Sequence, residues 1–247
     1  MQNRIIYGLK NKKIQLHYQP IVCAATHKIY KYEGLARLTC KNNGEETVYY
    51  PDCFIDKSKE LNLYKKVTVD VLCQAICVLE ATPDIYLSIN LTMQDLFCDE
   101  TRSFILKKLK HTDGKVCERL ILEITETESK GDEKQFKSIL RKLHKLDVKL
   151  AIDDFGSGYS NLSSLLDSHI HYIKLDGEIV KNIHRPRNRS IVELVVLYAN
   201  KYKIKVIAEK VETQEQVKIL SEIGVDYLQG YYFSKLLPNL TKEIQKQ

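Results

Sequence analysis

Short apolar runs that end in, or carry, a polar residue recur along this chain, separated by stretches of helical period. "IYLSIN" ends at Asn90, "KLAIDD" at Asp153 and Asp154, and "KVIAE" at Glu209. "LILEIT" carries Glu123, "YIKLD" carries Lys174 and Asp176, and "DYLQGYYF" carries Gln229. Apolar runs of this length read as buried strands. The segments between them read as helices, over roughly 99–110, 133–146, 189–203 and 213–223. Thr213 with Gln216 downstream is an N-cap signal, and Gly224 a C-cap. Earlier, "QLHYQPIV" and "KIYKYEGLARL" read as strands, and 52–79 as one or two helices.

Strands alternating with helices imply βαβ units on a parallel sheet. So many units in 247 residues favour closure into a (β/α)8 barrel, which typically needs about 250 residues. No Gly-, Ser- or Pro-rich linker suggests a cut, so residues 1–247 are expected to form one domain. The C-terminal strand ends of such a barrel converge on the face that carries the chemistry. Glu33, Asn90, Glu123, Asp153, Asp154, Lys174, Glu209 and Gln229 are therefore expected at one mouth.

Acids gathered in this way repel. Two like charges about 4 Å apart cost about 4 kcal/mol even at an effective dielectric near 20. Either some are protonated or a cation joins them. Oxygen donors without His or Cys favour hard ions such as Mg²⁺, Mn²⁺ or Ca²⁺. The adjacent Asp153 and Asp154 suit a pair of ions, one carboxylate bridging and its neighbour binding one. Two metals about 3.5–4 Å apart serve in-line displacement at phosphorus. Lys174 would orient the attacking water or stabilise the leaving oxygen, and Arg37 would hold a phosphate oxygen.

The net charge of +6 favours an anionic ligand but is modest for a dedicated DNA binder, and none is expected. The basic stretch "HRPRNRS" reads as a solvated loop before a helix. Seven cysteines without a C-x-x-C read as reduced, mostly packed thiols of a cytoplasmic protein. No apolar run approaches the ~20 residues that span a bilayer. "DFG" at 154–156 lacks the other kinase motifs, and "GSG" lacks the G-K-[ST] of a phosphate loop. His169 and His171 read as strand-entry residues far from the mouth.

Eight ordered blocks carry a resemblance over almost the whole chain: "YQPIV", "YEGLAR", "SINLT", "LEITET", "DDFGSGYSNL", "IKLDG", "VIAEKVET" and "QGYYFSK". With these the chain resembles the EAL-domain cyclic di-GMP phosphodiesterases. The resemblance implies a modified (β/α)8, TIM-like barrel with one antiparallel strand, and hydrolysis of cyclic di-GMP to linear 5′-pGpG with two Mg²⁺ or Mn²⁺ ions. Position by position, Glu33, Asn90, Glu123 and Asp153 look like ligands of one metal. Asp153, Asp154 and Glu209 look like ligands of the second. Lys174 looks like the residue that orients or deprotonates water, and Glu126 like the anchor of the loop over 155–160. Gln19, Arg37 and Gln229 look like substrate contacts. Inhibition by Ca²⁺ and a homodimer paired through barrel helices are also implied.

Four positions depart from the family pattern. Gly34 replaces the signature alanine, a small change. Lys210 stands where glycine is usual, which brings strain if the backbone there needs a positive φ. Leu236 replaces a proline and His171 an aspartate, both expected to matter only locally. The competing reading is a degenerate member that binds cyclic di-GMP or a protein partner without turnover. Every metal-binding and base position is present, which favours activity.

Overall fold

The computed structural model describes residues 2–11, 13–42, 45–125, 133–156 and 169–240. Helix α1 (Gln2–Lys10) leads into strand β1 (Ile14–Cys23) and then β2 (Ile29–Asn42) and β3 (Glu45–Tyr49). Helices α2 (Pro51–Glu60) and α3 (Tyr64–Ala81) precede β4 (Leu87–Thr92). Next come α4 (Met93–Phe97), α5 (Asp99–Lys110), α6 (Gly114–Cys117) and β5 (Leu120–Thr125). Helix α7 (Glu133–His144), β6 (Lys149–Phe155) and β7 (Tyr172–Leu175) follow. The remainder is α8 (Gly177–Lys181), α9 (Pro186–Tyr202), β8 (Lys205–Ala208), α10 (Gln214–Ile223) and β9 (Tyr227–Leu228).

The strands run in the order β1-β9-β8-β7-β6-β5-β4-β2, and β2 pairs back with β1, so the sheet closes into an eight-stranded barrel. Strand β1 is antiparallel to both neighbours, while the other strands of the ring are parallel. This is the TIM-like barrel with one reversed strand that the family resemblance implies. Strand β3 lies outside the ring, as a hairpin on the upper part of β2.

Side chains alternate between the two faces of each strand, so a step of two residues stays inside the barrel. Low in the barrel, Ile21, Ile121, Ala151, Tyr172 and Ile207 form an apolar floor. Two residues nearer the mouth on the same strands stand Gln19, Glu123, Asp153, Lys174 and Glu209. One period-two pattern thus supplies both a dry floor and a polar layer above it. The rings of Tyr30, Tyr86 and Tyr227 stack beside this floor, with centroids 5.6 Å (Tyr30–Tyr86) and 4.2 Å (Tyr30–Tyr227) apart.

The outer faces of the strands are covered by helices. Helix α3 buries Val67, Val71, Leu72, Ala75, Ile76 and Leu79, the 3.6-residue stripe of an amphipathic helix. Burying each of its large aliphatic residues contributes about 1.5–3 kcal/mol. Helix α10 begins at Thr213 with a reciprocal cap to Gln216 and ends at Gly224, at φ 92°, as its sequence predicts.

Two expectations are corrected. Arg187 lies inside α9, which begins before the expected start at 189: Pro186 takes the first helical position, where its missing N–H costs nothing, and Arg189, helical as expected, pairs with Glu193 one turn on. Of the seven free cysteines only Cys40 and Cys117 are buried, whereas Cys53, Cys77 and Cys98 are exposed. An apolar run in sequence does not reveal which side of a helix faces water.

Candidate active site

The strand ends meet as the alternation requires. Glu33 on β2 is 4% exposed, Glu123 on β5 is 0% and Lys174 on β7 is 1%. The Lys174 ammonium is 2.5 Å from Glu123 Oε2, 2.5 Å from Glu209 Oε1, 3.0 Å from Asp153 Oδ1 and 3.5 Å from Glu33 Oε2. Carboxylates from β2, β5 and β6 and from the residue after β8 thus converge on one cation. Around Glu33, the Asn90 amide donates to Oε1 at 2.8 Å and the Gln229 amide to Oε2 at 2.6 Å. The Gln229 amide also donates to Gln19 Oε1 at 3.2 Å. Asp153, Asp154 and Glu209 present oxygens all within 4.8 Å of one another, a cluster able to hold a metal ion.

These contacts set the charge states. Burial alone would raise Glu33, but the Lys174 charge and the Gln229 and Asn90 amides hold its carboxyl down at about 2. Glu123 has no such pair of donors; burial, then the Glu33 charge, push it up to about 7. Burial likewise lifts Glu209 to about 8 despite Lys174. Asp154 is raised by burial and by Asp153. Burial would lower Lys174, yet Asp153, Glu123, Glu209 and Glu33 outweigh it and hold the ammonium well above its ordinary range. The four carboxylates thus favour the ammonium form of Lys174 in this arrangement.

The donor set fits hard cations. Glu123 Oε1 and Asp153 Oδ1 accept no hydrogen bond and have ion-pair contacts instead, with Lys31 at 3.8 Å and Lys174 at 3.0 Å, and Gln229 Oε1 has no hydrogen-bond partner among the described residues. Buried acceptors left so incompletely satisfied carry a desolvation cost, and a metal cation relieves it. Every donor is an oxygen, as Mg²⁺ or Mn²⁺ prefers.

The mouth opens into a cavity of about 680 Å³. Gln19, Glu33, Arg37, Asn90, Asp153, Asp154, Lys174, Glu209 and Gln229 all line it, so the structure brings these predicted site residues together. Glu123 lies beneath it, held to Lys174. Glu126, the expected loop anchor, and residues 157–160 of its loop lie outside the described residues. Arg37 stacks its guanidinium over the Tyr50 ring, 4.6 Å from the centroid, and Nη1 donates to the Ala36 carbonyl at 2.7 Å.

The departures resolve individually. A methyl group at Gly34 would meet Ile89 and Ser88 at 3.4 Å, ordinary contact, so this position has room for the family's alanine. Lys210 has φ 52°, the left-handed backbone that favours glycine, and its stem packs on Gly177. Leu236 lines the cavity. His171 sits at the foot of β7, where the Leu150 N–H donates to its Nδ1 at 3.2 Å.

The strand-end pattern misses Lys31. It is fully buried two residues below Glu33, 3.8 Å from Glu123 Oε1 and 4.3 Å from the centroid of the Tyr172 ring. Counting back by two from Glu33 would have found it. Tyr50, Asp52 and Glu212 line the mouth from outside the strands, where no alternation marks them.

The EAL domain family matches residues 2–236. The chain belongs to the EAL domain family. An EAL domain protein from Listeria monocytogenes EGD-e has the same fold at TM-score 0.89 and 31% identity, covering 100% of this chain and 96% of that one. A structure of PaMucR phosphodiesterase in complex with c-di-GMP matches at TM-score 0.84 and 26% identity over 98% of both chains. The probable cyclic di-GMP phosphodiesterase PdeB of Escherichia coli K12 is 29% identical over 96% of this EAL domain and 45% of its own length. The chain spans less than half the length of the curated relatives it matches.

Proposed function

We propose that this EAL domain hydrolyses cyclic di-GMP to linear 5′-pGpG. The observation that carries the reading is the convergence of Glu33, Glu123, Asp153 and Glu209 on Lys174 at the barrel mouth, beside the Asp153, Asp154 and Glu209 oxygens able to hold a metal ion. Glu33, Asn90, Glu123, Asp153, Asp154 and Glu209 would hold two divalent cations, Mg²⁺ or Mn²⁺, with Asp153 shared. Bound there, such ions supply charge neutralisation at the phosphate and a more acidic water.

The residues of the chain do the rest. Asn90 and Gln229 keep Glu33 ionised and fixed by donating to its two oxygens. Lys174 orients the attacking water, since its ammonium has donors and no lone pair. Arg37 is held in place by its own Nη1 contact and the Tyr50 ring, with its other N–H groups left to grip a phosphate oxygen. Water adds to one phosphorus and the P–O3′ bond opens. The proton passes to the departing O3′, leaving a linear dinucleotide with a 5′-phosphate and a free 3′-hydroxyl.

The exposed face of α9 supports pairing with a second copy. Ile191, Leu194 and Tyr202 lie at i, i+3 and i+11 on one stripe, with exposures of 44%, 66% and 56%. Among the described residues no helix is long and apolar enough to cross a membrane.

The test is product analysis after incubation with cyclic di-GMP and Mg²⁺ or Mn²⁺. The reading expects pGpG, and none from Glu33→Ala. Binding of cyclic di-GMP without turnover in either metal would support the non-hydrolysing alternative.

A further inference from the structure

Beside the mouth lies a second depression of about 300 Å³, lined in part by His17, Val48 and Lys235. The two spaces share a wall made by Arg37, Tyr50, Tyr231 and Leu236. The Tyr50 and Tyr231 rings on that wall are 55% and 56% exposed. Exposed aromatic rings in a concave site are where ligands stack.

Tyr50 is also fixed in place. It precedes Pro51, which restricts it to extended backbone, and it sits at φ −81° and ψ 161°. Its carbonyl accepts from the Cys53 N–H at 2.9 Å as α2 begins. One face of its ring is covered by the Arg37 guanidinium, 4.6 Å from the centroid. A platform immobilised beforehand loses little entropy when a ligand lands on it. A cation on one side of a π-face and a nucleobase on the other is a favourable sandwich.

The geometry points to Tyr50 as the stacking platform for one purine base of the nucleotide substrate, with the second depression receiving that base. This inference rests on the phosphodiester reading of the mouth. Arg37 links the two: its guanidinium lies on Tyr50 and borders the cavity that contains the carboxylates. One residue would thus grip the phosphate while its partner ring holds the attached nucleoside. A dinucleotide has a second base and needs such a place outside the metal centre.

The experiment compares wild type, Tyr50→Phe and Tyr50→Ala in steady-state hydrolysis of cyclic di-GMP with Mg²⁺. Equilibrium binding of cyclic di-GMP in Ca²⁺ is measured alongside, with thermal melting as the check on folding. Loss of a base–aromatic stack weakens binding by about tenfold or more. Tyr50→Ala is expected to raise KM and the Kd by that factor, with kcat lowered less than about threefold, and Tyr50→Phe to restore both. An unchanged Kd and KM in a folded Tyr50→Ala, with wild type active, would overturn the inference and leave the phosphodiester reading intact. The same follows if Tyr50→Phe is as weak as Tyr50→Ala, because a stacking role needs only the ring. A wild type that binds cyclic di-GMP but never releases pGpG would sink the turnover reading, and the Kd ratio alone would then decide for or against Tyr50.

Discussion

The Lys174 ammonium lies 2.5 Å from Glu209 Oε1, joining the end of β7 to the residue that follows β8. Both groups are largely out of water, at 1% and 13% side-chain exposure. Lys174→Met leaves Glu33, Asp153 and Glu209 without the ammonium among them, and only Lys31 remains beneath, 3.8 Å from Glu123. Breaking a buried pair in this way costs about 3–5 kcal/mol. The variant is expected to melt well below wild type in EDTA, and added Mg²⁺ to recover more of its stability than it adds to wild type. Equal melting temperatures in EDTA would show that the cation is not what holds the acids together.

Calcium tests the demand for compact coordination. Ca²⁺ accepts longer, looser and more numerous contacts than Mg²⁺. It is expected to occupy the cluster of Asp153, Asp154 and Glu209 and to inhibit turnover competitively against Mg²⁺. Sustained hydrolysis in Ca²⁺ alone counts against the in-line two-ion mechanism.

The barrel was legible because its strands announce themselves twice, as apolar runs and by what stands at their ends. The period of two that buries Ile121 also aims Glu123 inward, and Tyr172 and Lys174 repeat the relation on β7. The short β9 (Tyr227–Leu228) was legible only through Gln229 just beyond it. Lys31 escaped because it lies one layer below the strand-end residues, reached only by stepping back two residues from Glu33. Tyr50 escaped because its position depends on Pro51 and on the closing of the β2–β3 hairpin, a long-range pairing between Leu38 and Tyr49.

At the foot of the barrel, His171 is held neutral. Burial, with His144 and Lys149 nearby, lowers it to about 4 from 6.5, and the Leu150 N–H occupies its Nδ1. The unfolded chain takes up this proton near pH 6.5 and the folded chain only near pH 4. Its stabilising contribution is therefore complete above pH 6.5 and lost as pH falls toward 4. The site is part-exposed, so screening reduces the effect to the order of 1 kcal/mol. His171→Gln is expected to flatten the fall in melting temperature between pH 6.5 and 4.5 relative to wild type. Parallel curves would assign that fall to other groups.

Lys210 carries a left-handed backbone, φ 52°, at the rim of the mouth. Such a conformation costs a non-glycine residue about 1 kcal/mol. Lys210→Gly is expected to raise stability by about 0.5–1 kcal/mol, whereas Lys210→Ala, which keeps the strain and loses the stem on Gly177, lowers it. Chemical denaturation of the pair reads the difference. The reverse order would mean that the lysine stem, not the backbone, dominates at this site.

The carboxylates around Lys174 are proposed to hold two cations with Asp153 shared. Anomalous diffraction from crystals of the chain soaked in Mn²⁺ tests it most directly. Two peaks about 3.5–4 Å apart are expected. Asp153 would lie within ligand distance of both, Glu33, Asn90 and Glu123 beside one, and Asp154 and Glu209 beside the other. A fully soaked crystal with no peak at the barrel mouth, or with ions bound away from Asp153, would contradict it.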